Sequence, residues 1–188
     1  VSGTAATAAS PDWYAQRSLQ TIPARGAPAA LTMAGTVAGW QLAQDTWSAK
    51  NPAEQVMPIA DLLAAAITRA EDGIVVTDSL AAASQKVADE LQGADDYQRV
   101  FTRHGSPVRP GETFRNSALA GLLKLLAEHG LQSFYRGQVA EGLAQHLSDC
   151  GSPISLDDFT NYQAQIVTPL EVSIDGAEIF NLPAPTQG

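Results

Sequence analysis

The sequence predicts a mainly α-helical chain that ends in a short β-hairpin, and three observations carry that prediction. Apolar residues recur at helical spacing in about five or six runs between Gly35 and Tyr162. Several of these runs open on a capping residue or a proline, and several close on a glycine. Beyond Tyr162 the texture changes to alternation around Asp175-Gly176, a strong hairpin signal.

Taken in order, the opening stretch to about Ala29 mixes small residues with Pro11, Pro23 and Pro28, and reads as loop with a short helical turn near Trp13-Tyr14-Ala15. Over residues 35–49 Val37, Trp40, Leu42, Ala43 and Trp47 fall near helical spacing, and Pro52 soon ends the segment. The next helix begins at Pro58, which is favourable in a first turn, and stops at Gly73. Thr77 or Asp78 caps a third helix, whose Leu80, Ser84, Val87 and Leu91 repeat until Gly93. Residues 94–113 lose the pattern and read as a mostly irregular crossing. Leu119, Leu122, Leu123 and Leu126 then form one stripe that ends at His129-Gly130. Val139, Leu143, His146 and Leu147 line the following helix, closed by Gly151, and Ser155 caps a last one with Asp157-Asp158 in its first turn. The runs 166–174 and 177–180 flank that Asp-Gly turn.

Length and composition fit one globular domain or a large part of one. The 188 residues are 45% hydrophobic and 16% charged, enough apolar material for a core. A formal net charge of -9 with no basic run excludes a nucleic-acid partner, since phosphate binding needs clustered cations. No stretch approaches the roughly 20 apolar residues of a membrane-crossing helix, so no membrane partner is expected. Cys150 stands alone, which excludes an internal disulfide framework, and it reads as a plain helix-end residue. His104, His129 and His146 are scattered, and none has another His, Cys or acidic residue at the spacing of a motif such as H-E-x-x-H. No metal site is expected. His129 reads as a partner of helix-end carbonyls and His146 as lying along a helix flank. Nucleophile-elbow, phosphate-loop and dinucleotide motifs are missing, so no cofactor is expected. The acidic pairs Glu71-Asp72, Asp95-Asp96 and Asp157-Asp158 sit at turns or helix ends and read as surface or capping groups.

The order of several motifs adds a resemblance. Ala34-Gly35-Thr36-Val37-Ala38-Gly39-Trp40 resembles the P-G-T-V-A-G-[FW] segment of the γ-glutamyltranspeptidase family. The run from Ile59 to Val76 is similar to that family's L-x-x-P-A-I-x-x-A-x-x-G-F-x-V helix. Gly111-Glu112-Thr113-Phe114, Asn116 and Leu119-Ala120 resemble its G-D-x-x-x-x-x-x-L-A run, and Phe134-Tyr135-Arg136-Gly137-Gln138-Val139-Ala140 its F-Y-x-G-x-[IV]-A. Ile154-Ser155-Leu156-Asp157-Asp158-Phe159-Thr160-Asn161-Tyr162 resembles I-[ST]-x-x-D-[LF]-x-x-Y, and residues 182–188 resemble P-P-P-S-S-G-G.

The resemblance implies an N-terminal-nucleophile hydrolase, an αββα sandwich assembled from two chains after the precursor cuts itself before a threonine. That threonine is both nucleophile and base through its freed α-amino group, and it would lie downstream of Gly188. Residues 1–188 are then a single incomplete domain, the helical portion of the large subunit, which carries no catalytic residue itself. Both ends of the sequence also read as the interior of a longer one. The implied partners are the small subunit bearing the threonine and a small-molecule amide. A segment of a larger sandwich is expected to expose apolar surface, so self-association of the chain is expected too. A periplasmic or secreted location goes with a typical γ-glutamyltranspeptidase, a cytoplasmic one with an oxamate amidohydrolase-like member.

Departures from the family pattern bear on specificity. In γ-glutamyl enzymes an arginine just before an A-P-x-x-A-T-like segment binds the substrate α-carboxylate through a bidentate contact. Aligning that segment with residues 5–10 places Ser2 there, as the substrate-binding residue. Serine cannot form that contact, which points to a different and smaller amide, as in the oxamate amidohydrolase branch; Arg17 or Arg25 would be the nearby substitutes. Ala34 and Gln187 replace a common proline and serine in loops, with no catalytic role. The competing reading from a different class is a non-catalytic helical interaction module.

Overall fold

A computed structural model describes residues 5–184. Its elements run α1 (Pro11–Ala15), α2 (Thr36–Lys50), α3 (Ile59–Asp72), β1 (Ile74–Val75), α4 (Asp78–Val87), α5 (Asp95–Phe101), β2 (Thr102–Arg103), β3 (Ser106–Pro107), β4 (Thr113–Phe114), α6 (Ser117–His129), α7 (Gln138–Asp149), α8 (Leu156–Asn161), β5 (Leu170–Ile174) and β6 (Ala177–Asn181), with a 3₁₀ turn at Leu131–Phe134. Among the described residues the chain is thus mainly α, with three small antiparallel strand pairs, β1 with β4, β2 with β3, and β5 with β6. Among the described residues no helix is long and apolar enough to cross a membrane.

Local chemistry accounts for most boundaries. Ser10, Thr77, Asn116 and Ser155 each accept a backbone N–H in the first turn of the helix they precede. At Ser155 the bond is reciprocal, because the Asp158 carboxylate reaches back to the Ser155 N–H and completes a capping box. Gly73 ends α3 at φ +96, where a Cβ would stand 2.5 Å from Thr113 Cγ2 and 3.0 Å from the Phe114 carbonyl oxygen. Only glycine admits both that dihedral and the approach of β4.

Three expectations need correction. The hairpin's first strand begins at Leu170, after Pro169, rather than at 166. The third helix stops at Val87 rather than running to Gly93: its last turn tightens into the bond from Ala88 N to Gln85 O, and turns follow. Residues 94–113 are not an irregular crossing. They hold α5, whose first turn carries Asp95 and Asp96 at its positive end, and the tight β2–β3 hairpin turned by His104 and Gly105, both at positive φ.

The main core lies where α3 packs along α6 and where α7, α8 and the 3₁₀ turn close over them; Leu63, Leu123, Leu126, Leu131, Ala140 and Phe159 meet there. A smaller cluster, Val76, Ala81 and Val108 with Leu80 and Phe114, sits beneath β1 and β4. Tyr97, Phe101 and Phe114 stack beside it at 5.7 and 5.4 Å between centroids.

The C-terminal hairpin is organised differently. Its register pairs Val172 with Ile179 and Ile174 with Ala177, so Leu170, Val172, Ile174 and Ile179 share one face, and Glu171, Ser173 and Glu178 share the other with Phe180. That is the pattern of a strand pair with one covered face. Every residue of both strands is nevertheless exposed or half-buried, with Val172 53% and Phe180 56% accessible.

Candidate functional site

The sequence motifs meet one another in space. Tyr135, 1% exposed, donates its hydroxyl to the Ala34 carbonyl at 2.6 Å and accepts the Ala38 N–H at 3.0 Å, so the F-Y-x-G segment clamps the first turn of α2. Burial pushes the Tyr135 hydroxyl up from its ordinary pKa, the Ala38 N–H opposes this, and Tyr162, stacked on the ring at 5.5 Å, adds to it. The group is therefore held neutral and able to donate. β1 pairs with β4, and Asn116 N–H donates to the Ala70 carbonyl at 2.9 Å, which joins the second motif to the third.

The N-terminal arm is fixed by the same logic. Ala5 bridges to Thr32, buried Ala6 donates its N–H to Leu31 at 2.7 Å, and Thr7 gives both its N–H (2.8 Å) and its hydroxyl (2.7 Å) to Asp158 Oδ1. The other oxygen of Asp158 serves the Ser155 capping box. Burial alone would raise the Asp158 pKa; the hydrogen bonds from Thr7 and Ser155 outweigh it, and the carboxyl is held below its ordinary value. One carboxylate thus ties the start of the chain to the start of α8.

Ser2, the residue expected to contact substrate, lies outside the described residues, as do 185–188 of the final motif. What is described is the anchored arm that follows Ser2. The two arginines considered as substitutes are engaged: Arg17 lies over the Trp13 ring at 3.8 Å and donates to the Trp13 carbonyl, and Arg25 pairs with Glu90. Beside the arm's partner helix, α2 and the segments 162–167 and 182–184 line an open cleft of about 900 Å³. Its walls include Leu42, Trp47, Tyr162, Ile166, Val167 and Leu182. Helix α2 turns Val37 and Ala38 inward yet leaves Trp40 and Trp47 about half exposed, so it is apolar on two sides. Helices of that kind normally lie between two layers.

The titratable groups sort largely as surface and capping residues. Glu71 pairs with Lys124 on α6, and Asp157 sits in the first turn of α8. His129 occupies the last turn of α6 beside Glu128. His146 lies along α7 and Cys150 is its C-cap, as read, and the fold adds a contact that the sequence reading left out. His146 faces both a cysteine and a carboxylate, with Nε2 2.5 Å from Asp96 Oδ2 and 3.7 Å from Cys150 Sγ. The i, i+4 spacing on α7 was the signal for the first contact; Asp96, fifty positions away, had none.

The γ-glutamyltranspeptidase family model matches residues 1–188. The chain belongs to this family. It is 42% identical over its whole length to the oxamate amidohydrolase proenzyme of Klebsiella pneumoniae, of which it covers 35%. It is 31% identical over 92% of its length to the glutathione hydrolase proenzyme of Escherichia coli, covering 28% of that protein. Among solved structures, the γ-glutamyltranspeptidase of Pseudomonas nitroreducens complexed with L-DON superposes with a TM-score of 0.80 at 27% identity, over 98% of this chain and 52% of that one. This γ-glutamyltranspeptidase-family chain spans about a third of the length of the curated relatives it matches.

Proposed function

We propose that the intact protein is a self-processing amidohydrolase that cleaves a small amide, with oxamate as the leading substrate, and that this chain is the helical part of its large subunit. The observation that carries the reading is the match over 187 residues to a relative named an oxamate amidohydrolase proenzyme, joined to serine at position 2. A γ-glutamyl substrate brings an α-carboxylate that calls for a fork of donors. Ser2 has one hydroxyl, and Arg17 and Arg25 are held by Trp13 and Glu90. In this reading a threonine at the start of a second chain attacks the amide carbonyl, its own α-amino group takes the hydroxyl proton, ammonia leaves, and water releases the acid.

The apolar hairpin face and the cleft beside α2 support the second-chain part of the proposal. A lone two-stranded hairpin is marginal in water, and this one turns Leu170, Val172, Ile174 and Ile179 to solvent. Further strands would pair along its edges, and the layer packed on the sheet would cover that face. The same exposed surface is what self-association of the isolated chain would use.

The test is turnover by the full-length, self-processed protein of oxamate and of a γ-glutamyl anilide, side by side. Oxamate turnover with little or none of the anilide supports the proposal. Efficient anilide turnover would replace it with the γ-glutamyl reading that the glutathione hydrolase relative represents.

A further inference from the structure

We propose that Asp96, His146 and Cys150 form a binding site for a borderline divalent metal ion of the zinc type. Their ligand atoms, one carboxylate oxygen, Nε2 and Sγ, all lie within 4.8 Å of one another. This inference is independent of the substrate reading above.

Each ligand is placed by a different local rule. His146 and Cys150 are one turn apart, so their side chains rise from the same face of α7. Cys150 is the C-cap of that helix, where the exposed carbonyls favour a positive charge. Asp96 stands in the first turn of α5 and crosses the gap between the helices. A tetrahedral zinc with bonds of about 2.0–2.1 Å to nitrogen and about 2.3 Å to sulfur would hold those two atoms about 3.5 Å apart. The observed His146 Nε2 to Cys150 Sγ distance is 3.7 Å, so this half of the site needs almost no movement. The carboxylate is nearer to the imidazole, 2.5 Å, than the roughly 3.3 Å that two ligands of one zinc would keep. A swing of about 1 Å by the half-exposed Asp96 side chain would place its oxygen on the ion and close the longest of the three separations.

The donor set selects the ion. A thiolate with an imidazole suits zinc and its neighbours and is poor for magnesium or calcium, which prefer oxygen alone. Binding displaces the Cys150 thiol proton to solvent, the His146 proton now shared with Asp96 moves to Nδ1 so that Nε2 is free to ligate, and water completes the coordination. Arg99, paired with Asp96 Oδ1, is the one cation beside the cluster among these contacts, and its charge opposes the ion. Arg99 takes the far oxygen, so Oδ2 is the atom turned toward the cluster.

The experiment is a cobalt(II) titration of tag-free full-length protein, read by the thiolate-to-cobalt charge-transfer absorption. The expected result is a band that zinc abolishes, that is lost in Cys150→Ser, and that needs at least about tenfold more cobalt in His146→Ala, since loss of an outer partner alone costs about that much. All three side chains are exposed, so these variants should fold, and circular dichroism checks that they do. A second readout addresses the site itself: zinc should slow alkylation of Cys150, followed by peptide mapping, in wild type and not in His146→Ala. Folded wild type without a band, a band unchanged in Cys150→Ser, or alkylation of Cys150 indifferent to zinc would each overturn the proposal.

Discussion

The helical body and the C-terminal hairpin use the same kind of residue to opposite effect. In the body, Leu126 and Tyr135 are each 1% exposed and the polar atoms around them are paired. In the hairpin, five residues pair with five through a complete ladder, yet the apolar side chains on it meet solvent. Backbone pairing and side-chain burial are therefore separable in this chain. The body folds around itself; the hairpin leaves an apolar face uncovered.

Charge on the hairpin is the sharpest way to test that contrast. Val172→Asp should block self-cleavage of the full-length protein while leaving hydrogen-exchange protection of the α6 amides within about 0.5 kcal/mol of wild type, as for a surface change. Normal cleavage would mean that the apolar face stays in water. Within the body, Leu126→Ala should cost about 2–5 kcal/mol, and Tyr135→Phe, which strands the buried Ala38 N–H, about 1–3 kcal/mol. Denaturant unfolding measures both. Gly73→Ala should cost roughly 1–3 kcal/mol from its dihedral alone, with the approach of Thr113 and Phe114 added, and would disturb the β1–β4 pair.

The smallest expected effect is at the arm. Asp158→Asn weakens both the capping box and the Thr7 contact, a loss of about 1 kcal/mol. The pH dependence has a definite sign. Because the folded-state pKa of Asp158 lies below its ordinary value of 3.8, its contribution is complete above that value and fades as pH falls through the lower, folded one. The gap between wild type and Asp158→Asn should accordingly narrow on acidification. A gap that stays constant would separate the arm from the charge.

Most of the body was legible because its signals are local. Asn116, Thr77 and Ser155 cap helices whose apolar residues keep a 3.6-residue period, and Asp175-Gly176 turns a hairpin. What escaped was set by distant partners. β1 and β4 are two residues each and exist because Gly73 lets them approach. α5 is held by Tyr97, whose hydroxyl bonds the Ser84 carbonyl, and by ring stacking of Phe101 on Phe114. The candidate site divides the same way. The His146–Cys150 spacing stood in the sequence, whereas Asp96 could be joined to it only by the fold.

The bond between Thr7 and Asp158 also sets an order in time. The two residues are 151 positions apart. At a synthesis rate of about 5–20 residues per second, the arm emerges on the order of ten seconds before the carboxylate that seats it. Until then the Thr7 donors face water, and Thr7 is seated only when α8 has been made.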